Sequence, residues 1–230
     1  MRKALAAACL LGLAVPAQAA SLAEILAAEA RSLGANGFAF TRTIDVDGAE
    51  TSGKRERRVV VERYDPSKAP ALRWTLLSID GRAPTAEEVK EAGKRTRQSP
   101  VPGYWRIADW VAAPTRTEVN GGTATLHFEQ LPKGALKGGP VDLSEDMIGI
   151  AHVTGVGSRP WVERVRFALK RPVRKMLVAR IDRLEIENRY RLSDDGRPIL
   201  VEQVTNMAGV MLGKSGSNRT VVRFSDFSAR

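Results

Sequence analysis

From Trp161 onward the sequence alternates with a period of two. Val165, Phe167 and Leu169 fall on one side of the chain, and Arg164, Arg166 and Lys170 on the other. Leu184, Ile186, Asn188, Tyr190 and Leu192 repeat the pattern against Glu185, Glu187, Arg189 and Arg191. Successive side chains of a strand point to opposite faces, so this spacing fits strands with one apolar and one polar side and does not fit a helix. Ala124, Leu126 and Phe128 alternate with Thr125, His127 and Glu129 in the same way. A sheet built from such strands must cover its apolar side, and that requirement limits the fold more than any other feature of the chain.

Turn residues divide the pattern. A first strand carries Phe38, Phe40 and Ile44 on its apolar side and is read as ending at a hairpin signal, Asp47-Gly48. A second strand covers 54–64, Asp65-Pro66 interrupts, and a third covers 73–79 before Asp80-Gly81. Asn120-Gly121-Gly122 predicts a hairpin within 115–130. The stretch 131–160 is rich in glycine and proline, with a possible strand over 147–156. The change of apolar phase between Ile181 and Leu184 predicts a bulge near Asp182. Residues 199–212 are apolar on both sides, as a central strand would be, and are followed by a turn over 214–218 and a last strand over 220–227. Two helices are expected. One covers 21–33, with Ser21 and Glu24 as a capping box and Gly34 at its end. The other covers 85–94, with Thr85 and Glu88 as its box. The predicted fold is mainly β with α: a curved antiparallel sheet of about eight to ten strands, an unclosed half-barrel, with a helical lid.

The N-terminus constrains location. Met1-Arg2-Lys3 is a short basic start, residues 4–15 form an apolar run, and Pro16-Ala17-Gln18-Ala19-Ala20 supplies small residues at the spacing a signal peptidase needs. The run is too short to span a hydrocarbon core of about 30 Å. Residues 1–20 therefore read as a signal peptide, cut after about Ala19 or Ala20, and 21–230 as a single periplasmic β-rich domain with no transmembrane span. The lone cysteine, Cys9, falls inside the signal, so the mature part has no thiol, disulfide or thiolate-bound metal. Removing Arg2 and Lys3 lowers the formal charge from +10 to +8. A basic envelope protein can meet anionic membrane surfaces or acidic polymers, and the same charge also serves plain solubility. No basic stretch is interleaved with stacking aromatics, so nucleic acid is not an expected partner.

Motifs with a chemical reading are few. Gly209, Gly213, Lys214 and Ser215 resemble a phosphate loop, but the glycines are one residue too close and no helix follows; a hairpin turn is the better reading. His127 sits on the polar side of its strand and His152 among apolar residues, and neither has metal-ligand spacing or a triad context. No cofactor or metal is expected. Asp142, Glu145 and Asp146 cluster near Ser144 in the Gly-rich stretch, as a solvated acidic loop or as carboxylates of a hydrolase. Lys170, Arg171, Arg174 and Lys175 form the densest basic cluster, extended by Arg164 and Arg166; they are candidates for an anionic membrane surface or simply a solvated loop. Trp74, Trp105, Trp110 and Trp161, with Phe128, Phe167 and Tyr190, could line a cavity or fill a core.

The order of these features resembles a known family. An export signal, a helix and a hairpin precede Arg63-Tyr64-Asp65-Pro66. Trp74, the run to Ile79-Asp80-Gly81 and the helix begun by Thr85, Glu87 and Glu88 follow. Long strands joined at Asp195-Gly196 and by a Gly/Lys/Ser turn close the chain. This is similar to the periplasmic superfamily of the lipoprotein carriers LolA and LolB. The resemblance implies an unclosed barrel with a helical lid over an apolar cavity that takes up acyl chains, and it makes Arg42 the nearest match to the arginine that controls opening. The segment 131–160 has no counterpart in that pattern.

The expected function is non-enzymatic binding or carriage of a lipid, a lipoprotein acyl chain or another apolar ligand. The cavity candidates are Trp74, Leu76, Leu126, Phe128, Val165, Phe167, Leu184, Ile186 and Tyr190, with the basic cluster as a rim for an anionic head. The alternatives are an envelope protein-interaction module without a ligand and a hydrolase built on the carboxylates.

Overall fold

A computed structural model describes residues 21–34, 37–97, 102–138, 141–175 and 179–229. The expected signal peptide, residues 1–20, lies outside the described residues. Helix α1 (Leu22–Leu33) starts at the expected capping box: the Ser21 hydroxyl accepts the Glu24 N–H, and the Glu24 carboxylate accepts the Ser21 N–H. It ends at Gly34, whose φ of 62° is open to glycine at little cost.

The strands follow in order. β1 (Phe38–Glu50), β2 (Arg55–Tyr64) and β3 (Trp74–Ile79) form an antiparallel meander. After helix α2 (Ala86–Arg97) and the short helix α3 (Ile107–Trp110) come β4 (Arg116–Asn120) and β5 (Thr123–Phe128). A two-stranded ribbon, β6 (Lys137–Gly138) and β7 (Val141–Asp142), precedes β8 (Met147–Thr154), β9 (Trp161–Leu169) and β10 (Val173–Lys175). The three longest strands end the chain: β11 (Ala179–Leu192), β12 (Pro198–Met211) and β13 (Lys214–Ala229).

Eleven of these strands form one sheet, in the order β3-β2-β1-β13-β12-β11-β9-β8-β5-β4, with β10 also on β11. β3 and β4 remain as free edges, so the sheet does not close into a barrel. The chain starts in the middle at β1, walks to one edge, crosses to the other, and returns until β13 lies beside β1. The fold class read from the sequence is therefore the observed one.

The local differences have physical causes. β1 does not turn at Asp47-Gly48: Asp47 pairs with Arg57 and Gly48 with Glu56, and the chain turns at 51–53, where Gly53 takes φ 89°. Likewise the last hairpin turns at Leu212-Gly213 rather than over 214–218, because Lys214 and Ser215 already pair with Met211 and Val210. The bulge near Asp182 is present, as a register shift between Ile181 and Arg183. The helical segment from Tyr104 to Trp110 has no counterpart in the expected elements. It buries Tyr104, Ile107, Ala108 and Trp110, and α1 buries Leu26, Ala27 and Ala30 in the same core.

Candidate functional site

Register fixes which residues share the helix-bearing, inner face. Directly opposed residues in an antiparallel pair point the same way. On β1 the inner residues are Phe40, Arg42, Ile44 and Val46; opposite them stand Tyr64, Glu62, Val60 and Arg58 on β2. The row continues through Phe224, Val222 and Thr220 on β13 and Gln203, Thr205 and Met207 on β12. It then reaches Asn188, Ile186 and Leu184 on β11 and Val165 and Phe167 on β9.

This face has three regions. Under α3 and the 131–146 segment it is packed solid. Leu126, Phe128, Val165 and Phe167 are at most 2% exposed, and the Trp110 ring meets Phe167 edge-on at 5.2 Å. Trp110 Nε1 donates to the Ala135 carbonyl at 3.0 Å, which anchors the helix over those rings. Gly149 has no side chain because Phe167 and Phe128 fill the space: an added Cβ would lie 2.9 Å from Phe167.

The second region is a pocket at the strand ends where β1, β12 and β13 meet α1. Leu33, Phe38, Phe40, Tyr104, Leu200 and Phe224 are among its walls, with Phe227 and Arg197 at its edge, and its free volume is about 50 Å³. Phe40 stacks on Tyr64 at 5.1 Å and meets Phe224 edge-on at 5.5 Å, which holds the back wall. Cations rim it: the Arg197 guanidinium lies 4.2 Å from the Phe38 ring centre and that of Arg191 lies 5.9 Å from Phe227. Arg197 also donates to Asp195 at 2.7 Å, and with the Ser193 hydroxyl it holds the Asp195 carboxyl down to about 2.

The third region is open. Ile44, Val46, Ile186, Thr205 and Val222 are half-buried, and Met207 is 39% exposed. Helix α2 packs on β3 and leaves Val89 47% exposed, so it stands beside this stretch rather than on it. Its N-terminus is tied down by Glu88, which accepts the Thr85 N–H and pairs with Arg82; those bonds lower its carboxyl to about 2.

Arg42 and Glu62 separate the pocket from the open stretch. Arg42 Nε donates to Glu62 Oε2 at 2.7 Å, and its guanidinium lies 3.9 Å from the Trp74 ring centre. The Glu62 side chain is 1% exposed and that of Arg42 12%. Each member of this deep pair supplies the other with a counter-charge in a low dielectric.

The residues nominated from sequence divide among these regions. Trp74 and Leu76 lie on β3 at one edge, half-buried, beside the Arg42–Glu62 pair. Leu126, Phe128, Val165 and Phe167 belong to the packed region, and Leu184 and Tyr190 are buried at 6% and 4% exposure. Ile186 alone of the nine sits in the open stretch, half-buried.

The basic residues do not form one rim. Arg164 and Arg166 alternate onto the outer face, where Arg166 pairs with Glu187 at 3.3 Å. That contact is one link of a chain through Glu187, Arg189, Glu202 and Arg223, which crosses four strands. Lys170 donates to the Glu145 carbonyl. Arg171 and Arg174 are exposed, and the side chain of Lys175 lies outside the described residues. Val173 pairs with Ile181 near one end of β11, while the pocket lies beyond Tyr190 near the other. Nine residues of strand put roughly 30 Å between them.

Other chemical motifs resolve structurally. Asp142 accepts from the Gly134 and Ser144 N–H groups and from the Ser144 hydroxyl, and the Ser144 hydroxyl accepts the Leu136 N–H, so the two side chains together hold that loop. His127 and His152 lie on the outer face, and burial followed by the neighbouring Arg164 charge holds the His152 imidazole below its ordinary value. Among the described residues no cluster of His, Cys, Asp or Glu could hold a metal, and no helix is long and apolar enough to cross a membrane. The pocket residues Leu33, Phe38, Leu200, Phe224 and Phe227 were not nominated from sequence. They lie on one helix and three strands from the first and last parts of the sequence, and which of them meet depends on the β1–β13 pairing, a contact with no local signal.

The fold and the inner face define an unclosed antiparallel half-barrel whose apolar side is only partly covered by helices. No family model matches the sequence, and no curated protein matches it significantly. Among solved structures, the chain is similar to a LolA superfamily protein from Nitrosomonas europaea at 14% identity over 92% of this chain and 94% of that one, with a TM-score of 0.35.

Proposed function

We propose that the protein is exported to the periplasm, loses residues 1–20, and uses its single remaining domain to hold the acyl chain of a lipid or lipoprotein on the inner face of the half-barrel. The observation that carries this reading is the uncovered inner stretch of Ile44, Val46, Ile186, Val222 and Met207, which leads past Arg42 toward the aromatic pocket. Apolar surface left open beside a ready-made pocket gains about 0.8 kcal/mol for each methylene it takes out of water. The binding is non-covalent and needs no cofactor.

In this account α2 is the movable part of the lid, since it packs mainly on edge strand β3 and on the Pro70–Leu72 turn before it. Arg42 stands where a chain would pass and is the opening residue, as the family resemblance implies. Arg191 and Arg197 at the pocket mouth suit an anionic head. The exposed Arg171 and Arg174, at the far end of the sheet, suit an anionic membrane surface. Native mass spectrometry of protein isolated from the periplasm tests the proposal. Adducts with the mass of lipids or acyl chains support it, and a bare chain that also yields no lipid on solvent extraction rejects it.

A second reading has its own observation. Edge strand β4 is exposed along its whole length and Val119 on it is 61% exposed. A partner strand could add there. Crosslinking in cells that recovers a stable protein partner through β4, without lipid, would favour an assembly module.

A further inference from the structure

Asn188 and Tyr190 lie on the inner face of β11, at 1% and 4% exposure. Neither the Asn188 amide oxygen, its amide nitrogen nor the Tyr190 hydroxyl has a hydrogen-bond partner. Buried polar side chains are almost always paired, because an unpaired one gives up water for nothing. The rest of this core obeys the rule. Among the described residues the other buried polar side chains are Glu62, bonded to Arg42, and Ser144, bonded to Asp142 and to the Leu136 N–H. Even the buried Tyr104 hydroxyl accepts the Val162 N–H at 2.8 Å.

The position of the exception is informative. Asn188 stands between Gln203 on β12 and Val165 on β9. Tyr190 faces Leu200, a wall of the pocket, and meets the Tyr104 ring edge-on at 5.3 Å. On the other side of Asn188 comes Ile186, in the open stretch. The three unpaired atoms therefore lie between the pocket and the open face, in a run that is otherwise apolar. Burial raises the Tyr190 hydroxyl well above its ordinary value, so it stays a neutral donor.

The donor and acceptor inventory selects a ligand chemistry. Tyr190 offers one O–H, and Asn188 offers two N–H groups and one carbonyl oxygen. Side by side these match a carbonyl next to an N–H or O–H. They do not match a hydrocarbon. We infer that Asn188 and Tyr190 form an internal polar subsite that binds the amide or hydroxy-ester linkage at the root of an acyl chain. This rests on the reading that the inner face takes an acyl chain, and it adds which part of the ligand is recognised.

The test is displacement of a fluorescent alkyl probe from the exported protein by three competitors of equal chain length: an alkane, a monoacylglycerol and an N-acyl ethanolamine. Wild type should bind the two carbonyl compounds at least about tenfold more tightly than the alkane. Asn188→Leu and Tyr190→Phe should each erase most of that preference. Tyr190→Phe removes one oxygen and keeps the ring packing, so it decides alone if Asn188→Leu does not fold. A preference that survives Tyr190→Phe overturns the subsite, as does equal binding of all three competitors by wild type. If wild type binds none of the four molecules, the acyl-chain reading itself fails, and the subsite with it.

Discussion

Arg42 and Glu62 face each other across β1 and β2, with the carboxylate 1% exposed and the guanidinium stacked 3.9 Å from the Trp74 ring centre. Breaking a buried pair by removing one member costs about 3–5 kcal/mol, because the remaining charge loses its close ion-pair partner in a low dielectric. Glu62→Ala should therefore lower stability by about that amount in urea unfolding. Replacing both residues together, Arg42→Met with Glu62→Leu, should cost clearly less than the sum of the two single changes, because no stranded charge remains. Additive losses would contradict the pairing.

Gly149 tests how solid the covered region is. A methyl group there would meet Phe167 at 2.9 Å and Phe128 at 3.4 Å, and both rings are held by neighbours. Gly149→Ala should destabilise by about 1–3 kcal/mol through overpacking, read as a lower denaturation midpoint. A neutral result would mean that the rings have room to move, and that this half of the inner face is not a fixed core.

Gly209 tests the β11–β12 bulge. A Cβ there would lie 2.2 Å from the Arg180 carbonyl oxygen, a backbone atom that cannot rotate away. Gly209→Ala should cost more stability than Gly149→Ala in the same denaturation assay. It should also lower the amide hydrogen-exchange protection of 179–183 and 207–211, with little change at β1 and β2.

Acid stability should depend on Glu88 and Asp195. Their folded carboxyls are held at about 2, below ordinary values of 4.5 and 3.8, chiefly by Arg82 and Arg197. A depressed carboxyl contributes stability that is fully present above its unfolded value and is lost as pH falls through the folded one. Thermal midpoints measured from pH 5 to pH 2 should therefore fall less steeply for Glu88→Gln and for Asp195→Asn than for wild type, with the curves converging at the acid end.

Much of the sheet was legible in the residues themselves. The alternation of Leu184, Ile186, Asn188 and Tyr190 fixed their common face, and the phase change around Asp182 marked a bulge that β11 contains. The two capping boxes, Ser21 with Glu24 and Thr85 with Glu88, marked helix starts that form as read. Turn positions were less legible: Asp47-Gly48 has favourable turn chemistry, yet continued pairing with β2 outweighs it. The site was least legible. Alternation says which side of a strand is apolar, but not which part of that side a helix covers. Phe167 and Ile186 share a face, yet Trp110 covers only the first. That distinction comes from the Tyr104–Trp110 segment, whose two consecutive short helical pieces are too brief to show an amphipathic period.

The central claim is that the open inner stretch takes an apolar chain, and titration of the exported protein with a fluorescent long-chain fatty acid tests it most directly. Ile186 lies half-buried in that stretch rather than in the packed core, so Ile186→Glu places a charge where the chain would lie. The account predicts saturable, one-to-one binding by wild type and at least about tenfold weaker binding by Ile186→Glu. Absence of saturable binding by wild type, or equal binding by the two proteins, would contradict it.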